Sequence, residues 1–230
     1  MKKTIFDLPE FRNQTRVFRD RGAAGKILAE MLEAYRNSHA TVLAIPAGGV
    51  AVAAVIAKGL NLSLDLAVVS KITPSWNSEV GYGAVAFDGT VMLNEDLVSR
   101  LHLSRQEIQE GIRRTEEKVA RRVTLLRGNR LLPNLQNPVL LVDDGLASGF
   151  TIRVAIKALR GAGSRQIILA VPTAHEASVR KTSEEVEAVY CPNIRSGPSF
   201  AVADAYEYWR DVDEAEMMDI LAPFFKSPQG

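Results

Sequence analysis

The sequence predicts an α/β domain with a doubly wound, mainly parallel sheet of about five strands, a small β-hairpin with a flexible loop, and a short C-terminal hood. Three observations predict it. Short apolar runs alternate with segments of helical period, as in βαβ units. The runs are continuously apolar, the pattern of strands covered on both faces. Turns rich in small residues follow two of them directly, at Gly48-Gly49 and at residues 145–149.

Taken in order, Ala24, Ile27, Leu28, Met31, Leu32 and Tyr35 recur at helical intervals and predict a helix over residues 23–36. Residues 41–45 form a central strand, and Gly48-Gly49 turns the chain into a helix over 50–58. Residues 64–70 are the second strand. Residues 71–81 hold Pro74, Trp76, Asn77 and Glu79 with no apolar period, and read as a long loop. A hairpin follows, with arms at 82–86 and 90–94 around Asp88-Gly89. Residues 104–127 are the longest helix, with Ser104 and Glu107 at capping-box spacing. Its stripe is Ile108, Ile112, Val119, Val123 and Leu126; its cations, among them Arg113, Arg114, Lys118, Arg121, Arg122 and Arg127, read as a solvated face. The alternation resumes with a strand at 138–142, a helix at 150–160, a strand at 166–171, a short helix at 176–181 and a strand at 186–190. Asp213 caps a terminal helix over 214–221. With no repeat, low-complexity tract or clear linker, residues 1–230 are expected to form one domain, with 71–95 as loop and hairpin and 191–230 as a C-terminal cap.

Composition narrows the function. Lys and Arg number 28 against 27 Asp and Glu, a net charge of +1, which argues against a non-specific nucleic-acid or membrane-surface binder. Neither partner is expected. The single cysteine, Cys191, excludes an intramolecular disulfide and reads as a small buried residue. His39, His102 and His175 lack zinc-ligand spacing. Residues 40–57 carry no formal charge, but Pro46 and Gly48-Gly49 divide them, so strand, turn and buried helix fit better than a membrane span. Asp7, Glu10 and Arg12 interrupt the start before any signal-peptide pattern develops, so a cytoplasmic location is expected.

The chemistry concentrates in Val139-Leu-Leu-Val-Asp-Asp-Gly-Leu-Ala-Ser-Gly-Phe-Thr151. A buried strand ends in two acids, and a small-residue turn then opens a helix. Open α/β sheets bind ligands at this edge, and a helix start with a close-approaching backbone suits a phosphate. Two carboxylates facing that phosphate would repel it, so they are better turned toward hydroxyls or a divalent cation. Together these features suggest a phosphorylated sugar. The competing reading is an ordinary strand-to-helix turn with an acidic N-cap. Neither G-x-x-x-x-G-K-[ST] nor G-x-G-x-x-G occurs here, which disfavours nucleoside triphosphatase and dinucleotide sites.

Residues 139–151 resemble the phosphoribosyl pyrophosphate (PRPP) signature of type I phosphoribosyltransferases: four apolar residues, two acids, Gly, any residue, Ala/Gly, Thr/Ser, Gly and a later Thr. The resemblance implies that Asp143 and Asp144 hold the ribose hydroxyls. Gly145, Leu146, Ala147, Ser148, Gly149, Phe150 and Thr151 would form the binding turn, with residues 147–151 wrapping the 5-phosphate. Ile45-Pro-Ala-Gly-Gly-Val50 resembles the pyrophosphate loop, in which Ala47, Gly48 and Gly49 would offer amides. Such loops often hold a cis peptide, which the sequence does not reveal. Lys71 is placed like the basic pyrophosphate contact, and residues 71–89 like the mobile loop and hairpin. Arg19 and Arg21 either neutralise PRPP or pair with Asp20 at the surface; Glu79 is an additional candidate without an assigned role.

The likeness is nearer to one phosphoribosyltransferase-like branch of the family, through Phe18-Arg-Asp-Arg-Gly-Ala-Ala-Gly25 and Gly83-Ala-Val-Ala86. Phe200-Ala-Val-Ala203 departs from that branch's usual Phe-x-Ala-Val-Gly, on the acceptor side. Tyr206 and Trp209 either line a base pocket or pack the core. The resemblance implies transfer of the 5-phosphoribosyl group from PRPP to a nitrogen acceptor, a nucleobase foremost, with Asp143, Asp144 and Lys71 carrying the chemistry. Mg2+ is the implied cofactor, held through PRPP and waters near Asp143 and Asp144 without a certain protein ligand. A homodimer is the family expectation. The alternatives are a non-enzymatic PRPP-binding regulatory or interaction protein, and another sugar-phosphate enzyme.

Overall fold

A computed structural model describes residues 4–78, 80–128 and 130–225. The strands are β1 (Thr4–Phe6), β2 (Thr41–Ala44), β3 (Ser63–Leu66), β4 (Val69–Ile72), β5 (Gly83–Ala86), β6 (Val91–Leu93), β7 (Val139–Val142), β8 (Ile167–Ala170), β9 (Thr173–His175), β10 (Ala188–Tyr190) and β11 (Asn193–Arg195). The helices are α1 (Arg21–Met31), α2 (Gly48–Leu60), α3 (Glu95–Arg100), α4 (Arg105–Arg127), α5 (Phe150–Gly161), α6 (Glu176–Ser183) and α7 (Glu214–Phe225).

The central sheet is parallel with six strands, in the order β1-β10-β8-β7-β2-β3. Alternate residues of its inner strands feed two apolar layers. Val42, Leu140, Val142 and Ile168 pack with α1, α2, α7 and the buried stripe of α4, whereas Leu43, Leu141, Ile167 and Leu169 pack with α5 and α6. That two-sided burial is why the strand sequences are apolar throughout.

The sheet holds one more strand than expected. β1 is an exposed edge strand bonded to β10, and the charges around Thr4-Ile-Phe6 concealed it, because pairing at an edge runs through the backbone. The single strand expected at 64–70 is two strands. The chain follows β2 through β3 as far as Ala67, whose N–H reaches Ala44 O at 2.9 Å, and then crosses into an antiparallel sheet, β4-β5-β6. Both halves are largely buried, so the apolar run hid the change of partner. Lys71 accordingly stands inside β4, not at the start of a loop.

Helix ends move in ways the caps explain. Asp20 accepts the Ala23 N–H at 2.8 Å and starts α1 earlier than expected; α1 ends at Met31 and a 3-10 turn takes Glu33–Tyr35. Ser104 and Glu107 form the expected capping box on α4. The short parallel pair of β9 with β11, and helix α3 capped by Asn94, were not anticipated. Residues 202–209 return to the N-terminal segment. Glu207 N–H bonds Phe18 O at 2.8 Å and Tyr208 N–H bonds Arg19 O at 2.9 Å, which fixes the entry to α1.

Candidate functional site

β7 delivers Asp143 and Asp144 to the carboxyl edge of the sheet. The turn after them is pinned by Leu146, whose N–H bonds Thr173 O and whose carbonyl accepts the His175 N–H, each at 2.9 Å. Two glycines are required here. A Cβ on Gly145 would lie 2.4 Å from Val202 Cγ1, and Gly149 has φ +73°, left-handed backbone that few other residues adopt. Gly149 at the N-cap offers no side chain to α5; the Phe150 N–H reaches Ser148 Oγ at 3.4 Å, and the next amides of this first turn suit an anion.

The second loop leaves β2 through Ile45, Pro46 and Ala47, with a cis peptide between Pro46 and Ala47, and α2 begins at Gly48. It interlocks with the acid pair. A Cβ on Gly48 would stand 1.7 Å from Asp144 Oδ2; one on Gly49 would stand 2.8 Å from Val142 O and 2.9 Å from Asp143 Cα. Only glycine permits this approach.

Asp144 is the hub. Arg21 reaches its Oδ2 with Nε at 2.9 Å and a terminal amino group at 2.8 Å, and donates to Arg210 O at 2.8 Å. The Arg21 guanidinium lies 3.9 Å from the Trp209 ring centroid. The Tyr206 hydroxyl donates to the Asp144 carbonyl at 2.6 Å. Burial, followed by the charge of Asp144, pushes the Asp143 carboxyl well above the usual carboxylate range. Burial also raises Asp144, against the opposing pull of Arg21. Burial first, then the nearby Asp144 charge, pushes the Tyr206 phenol upward, so the phenol stays a donor.

A cleft of about 590 Å³ opens in front of these groups. Its lining unites Ile45, Pro46, Lys71, Asp143, Asp144 and the whole turn from Gly145 to Thr151. Ala47, Gly48 and Gly49 do not line it; the two glycines stand behind the acids. Arg19 pairs with Asp20 at 2.8 Å on the surface, the bland alternative. Arg21 does not pair with Asp20 but is buried against Asp144. Tyr206 and Trp209 pack against each other and Arg21, outside the cleft lining. Glu79 lies outside the described residues. Trp76 is 61% exposed and borders a separate pocket of about 270 Å³ with Tyr82 and Leu103.

The cleft also takes Lys118 and Arg122 from α4, so the expectation of a wholly solvated basic face needs correction. Part of that face is as expected: Arg113 pairs with Glu110 at 2.7 Å and Arg121 with Glu214 at 3.0 Å. The available signal was spacing. Arg114, Lys118 and Arg122 recur every four residues beside the buried line of Gly111, Thr115 and Val119. Among the described residues, no group of three or more His, Cys, Asp or Glu is placed to hold a metal ion.

A parallel, doubly wound sheet with two acids and a helix start at its carboxyl edge, facing a cleft, defines the open α/β class, whose members commonly bind ligands at the strand ends. The family model for the phosphoribosyl transferase domain matches residues 17–205, and the chain belongs to that family. Proteins described as phosphoribosyl transferases in two strains of Mycobacterium tuberculosis are each 32% identical over 209 residues, 90% of this chain and 46% of theirs. The chain thus spans about half the length of these relatives. The solved structure of TT1426 from Thermus thermophilus is 29% identical, with a TM-score of 0.70, and the match covers 90% of this chain and 98% of that one. No helix among the described residues is long and apolar enough to cross a membrane.

Proposed function

We propose that the protein transfers the 5-phosphoribosyl group of PRPP to a nitrogen acceptor, a nucleobase foremost, and releases pyrophosphate. The observation that carries this reading is the single cleft in which the acid pair and the turn to Thr151 meet Pro46 and Lys71, within a chain of the phosphoribosyl transferase family. Asp143 and Asp144 accept hydrogen bonds from the ribose 2- and 3-hydroxyls. Gly145 to Thr151, with the first amides of α5, take the 5-phosphate. Lys71 takes the pyrophosphate, on the side of the cleft that Pro46 borders.

The bond from C1 of the ribose to the pyrophosphate oxygen breaks and its electron pair leaves with the pyrophosphate. The acceptor nitrogen forms the new bond to C1 with its lone pair and gives up its proton to solvent or to the departing pyrophosphate. Positive charge gathers on the ribose ring as the bond stretches, beside the two carboxylates, and negative charge gathers on the leaving group, beside Lys71. Stabilisation therefore comes from fixed charges and positioning. No protein nucleophile is needed. Cys191, the one thiol, is fully buried outside the cleft lining, and its burial pushes the thiol far up.

Mg2+ fits as a companion of the substrate. Two adjacent carboxylates without a third acid or histidine grouped with them among the described residues suit an ion that keeps its waters and phosphate ligands. When bound, it neutralises diphosphate charge.

Calorimetric titration with PRPP, with and without Mg2+ and with ribose 5-phosphate as comparison, tests the reading. Saturable binding that favours PRPP and strengthens with Mg2+ is expected, followed by pyrophosphate release in the presence of a suitable base. Folded protein that ignores PRPP would sink it. PRPP binding without pyrophosphate release across a panel of bases would leave a PRPP-responsive binding protein.

A further inference from the structure

The inner ridge of α4 differs from the rest of that helix in how its charges are matched. On the outer face, Arg113 is bonded to both Glu110 and Glu117. On the ridge, Arg114 lies 3.9 Å from Glu110, and Arg122 uses its Nε toward Glu214 at 3.4 Å. Lys118, between them, has no hydrogen bond or ion pair among the described residues. Cations four residues apart repel one another along a helix. Here that repulsion falls where the helix borders the cleft, with Lys118 and Arg122 both in its lining.

Two further observations point to an anion. Ser70, only 5% exposed, lines the same cleft beside Lys71, and its Oγ has no hydrogen-bond partner. A buried hydroxyl without a partner is costly, and a ligand oxygen would satisfy it. The Lys118 ammonium has its pKa lowered, first by loss of solvent and then by the charges of Arg122, Arg121 and Lys71. An anion entering among these cations would relieve that repulsion.

We infer that Lys118 and Arg122 of α4 join Lys71 and the Ser70 hydroxyl as a basic wall that binds the diphosphate group of PRPP. This rests on the PRPP reading above, and assigns binding residues to a helix outside the motifs that define it. The diphosphate is the occupant because the wall is continuous with Lys71, while the 5-phosphate turn lies at the start of α5.

The test separates the two halves of the ligand. Inorganic pyrophosphate and ribose 5-phosphate are titrated separately into the full chain, its Lys118→Gln/Arg122→Gln variant, and Arg113→Gln as a control on the outer face. Pyrophosphate affinity should fall roughly tenfold in the double variant, as expected for lost charged hydrogen bonds, with a shallower salt dependence. Ribose 5-phosphate affinity should not change, and Arg113→Gln should match the parent for both ligands. Lys118 is exposed but Arg122 is largely buried beside Glu214, so folding of the double variant is checked by thermal melting, and Lys118→Gln alone, expected to weaken pyrophosphate binding in the same sense, serves as the second variant. Unchanged pyrophosphate binding in the double variant, or equal loss of both ligands, would overturn the wall while the PRPP reading stood. A parent protein that bound neither ligand would remove both.

Discussion

In the acidic wall of the cleft, Asp143 to Thr151 follow one another along the chain, whereas the opposite charge is gathered from β4 and α4, with Lys71 on one and Lys118 and Arg122 on the other. The first wall is a local object. Its shape follows from a strand end, a turn with two obligatory glycines and a helix start, and it tolerates little atomic displacement. The second depends on how a long helix lies against a hairpin. Its cations sit on flexible stems, so its contribution is graded and sensitive to salt. Changes to the acidic wall should therefore abolish binding, while changes to the basic wall should weaken it.

The largest effect is expected from Asp143→Asn combined with Asp144→Asn. Losing two charge-assisted hydrogen bonds to the ribose hydroxyls should lower PRPP affinity by on the order of a hundredfold or more, read by calorimetry. A loss no greater than that of the α4 variant would erase the distinction between the walls. Next is Gly48→Ala. Its new methyl would collide with Asp144 Oδ2 and force the Asp144–Arg21 pair apart. Overpacking of this kind costs about 1–3 kcal/mol, so the melting temperature should drop by several degrees and PRPP affinity with it. Unaltered melting would mean that the two loops are less tightly interlocked than the geometry requires.

The smallest effect sharpens the comparison through pH. Asp143 is raised in the folded protein, so folding favours its protonated form. Between the ordinary carboxylate pKa and the raised one, the unfolded chain holds fewer protons, and stability falls as pH rises. Asp143→Asn should therefore raise the melting temperature of the ligand-free protein near neutral pH, by roughly 2–4 °C for a gain of about 1 kcal/mol. The gain should fade below about pH 4, where both states of the parent are protonated. A destabilised Asn variant at neutral pH would show that the carboxylate is held by partners rather than strained by burial.

The same division governed what could be read from the sequence. The acid pair, the turn to Thr151, the capping box of Ser104 and Glu107 and the Asp88-Gly89 hairpin are all short-range, and each was legible. Arg21 shows the opposite limit. It follows Asp20 directly, yet its partner Asp144 lies 123 residues away, and only the return of residues 206–209 to the N-terminal segment brings the two together. For Lys118 and Arg122 the periodicity was visible but its direction was not, because which side of an amphipathic helix borders a ligand space is decided by what it packs against. β1 and the crossing from β3 to β4 were lost for a related reason, since strand partners are chosen by distant backbone that composition does not report.

The Arg127–Asp65 contact at the end of α4 has a mechanical meaning. Both Arg127 Nε and a terminal amino group bond the Asp65 carboxylate, at 2.9 and 3.0 Å, and the pair is largely buried. Asp65 belongs to β3, whose chain continues within a few residues into β4 and Lys71. Farther up the helix, Gly111 leaves room for the Tyr82 hydroxyl at the foot of β5, where a Cβ would come within 2.0 Å. Fastened on both sides of β4, to β3 through Asp65 and beside β5 through Tyr82, α4 has its position relative to Lys71 set by these two contacts, which fixes where Lys118 and Arg122 stand across the cleft from the acids.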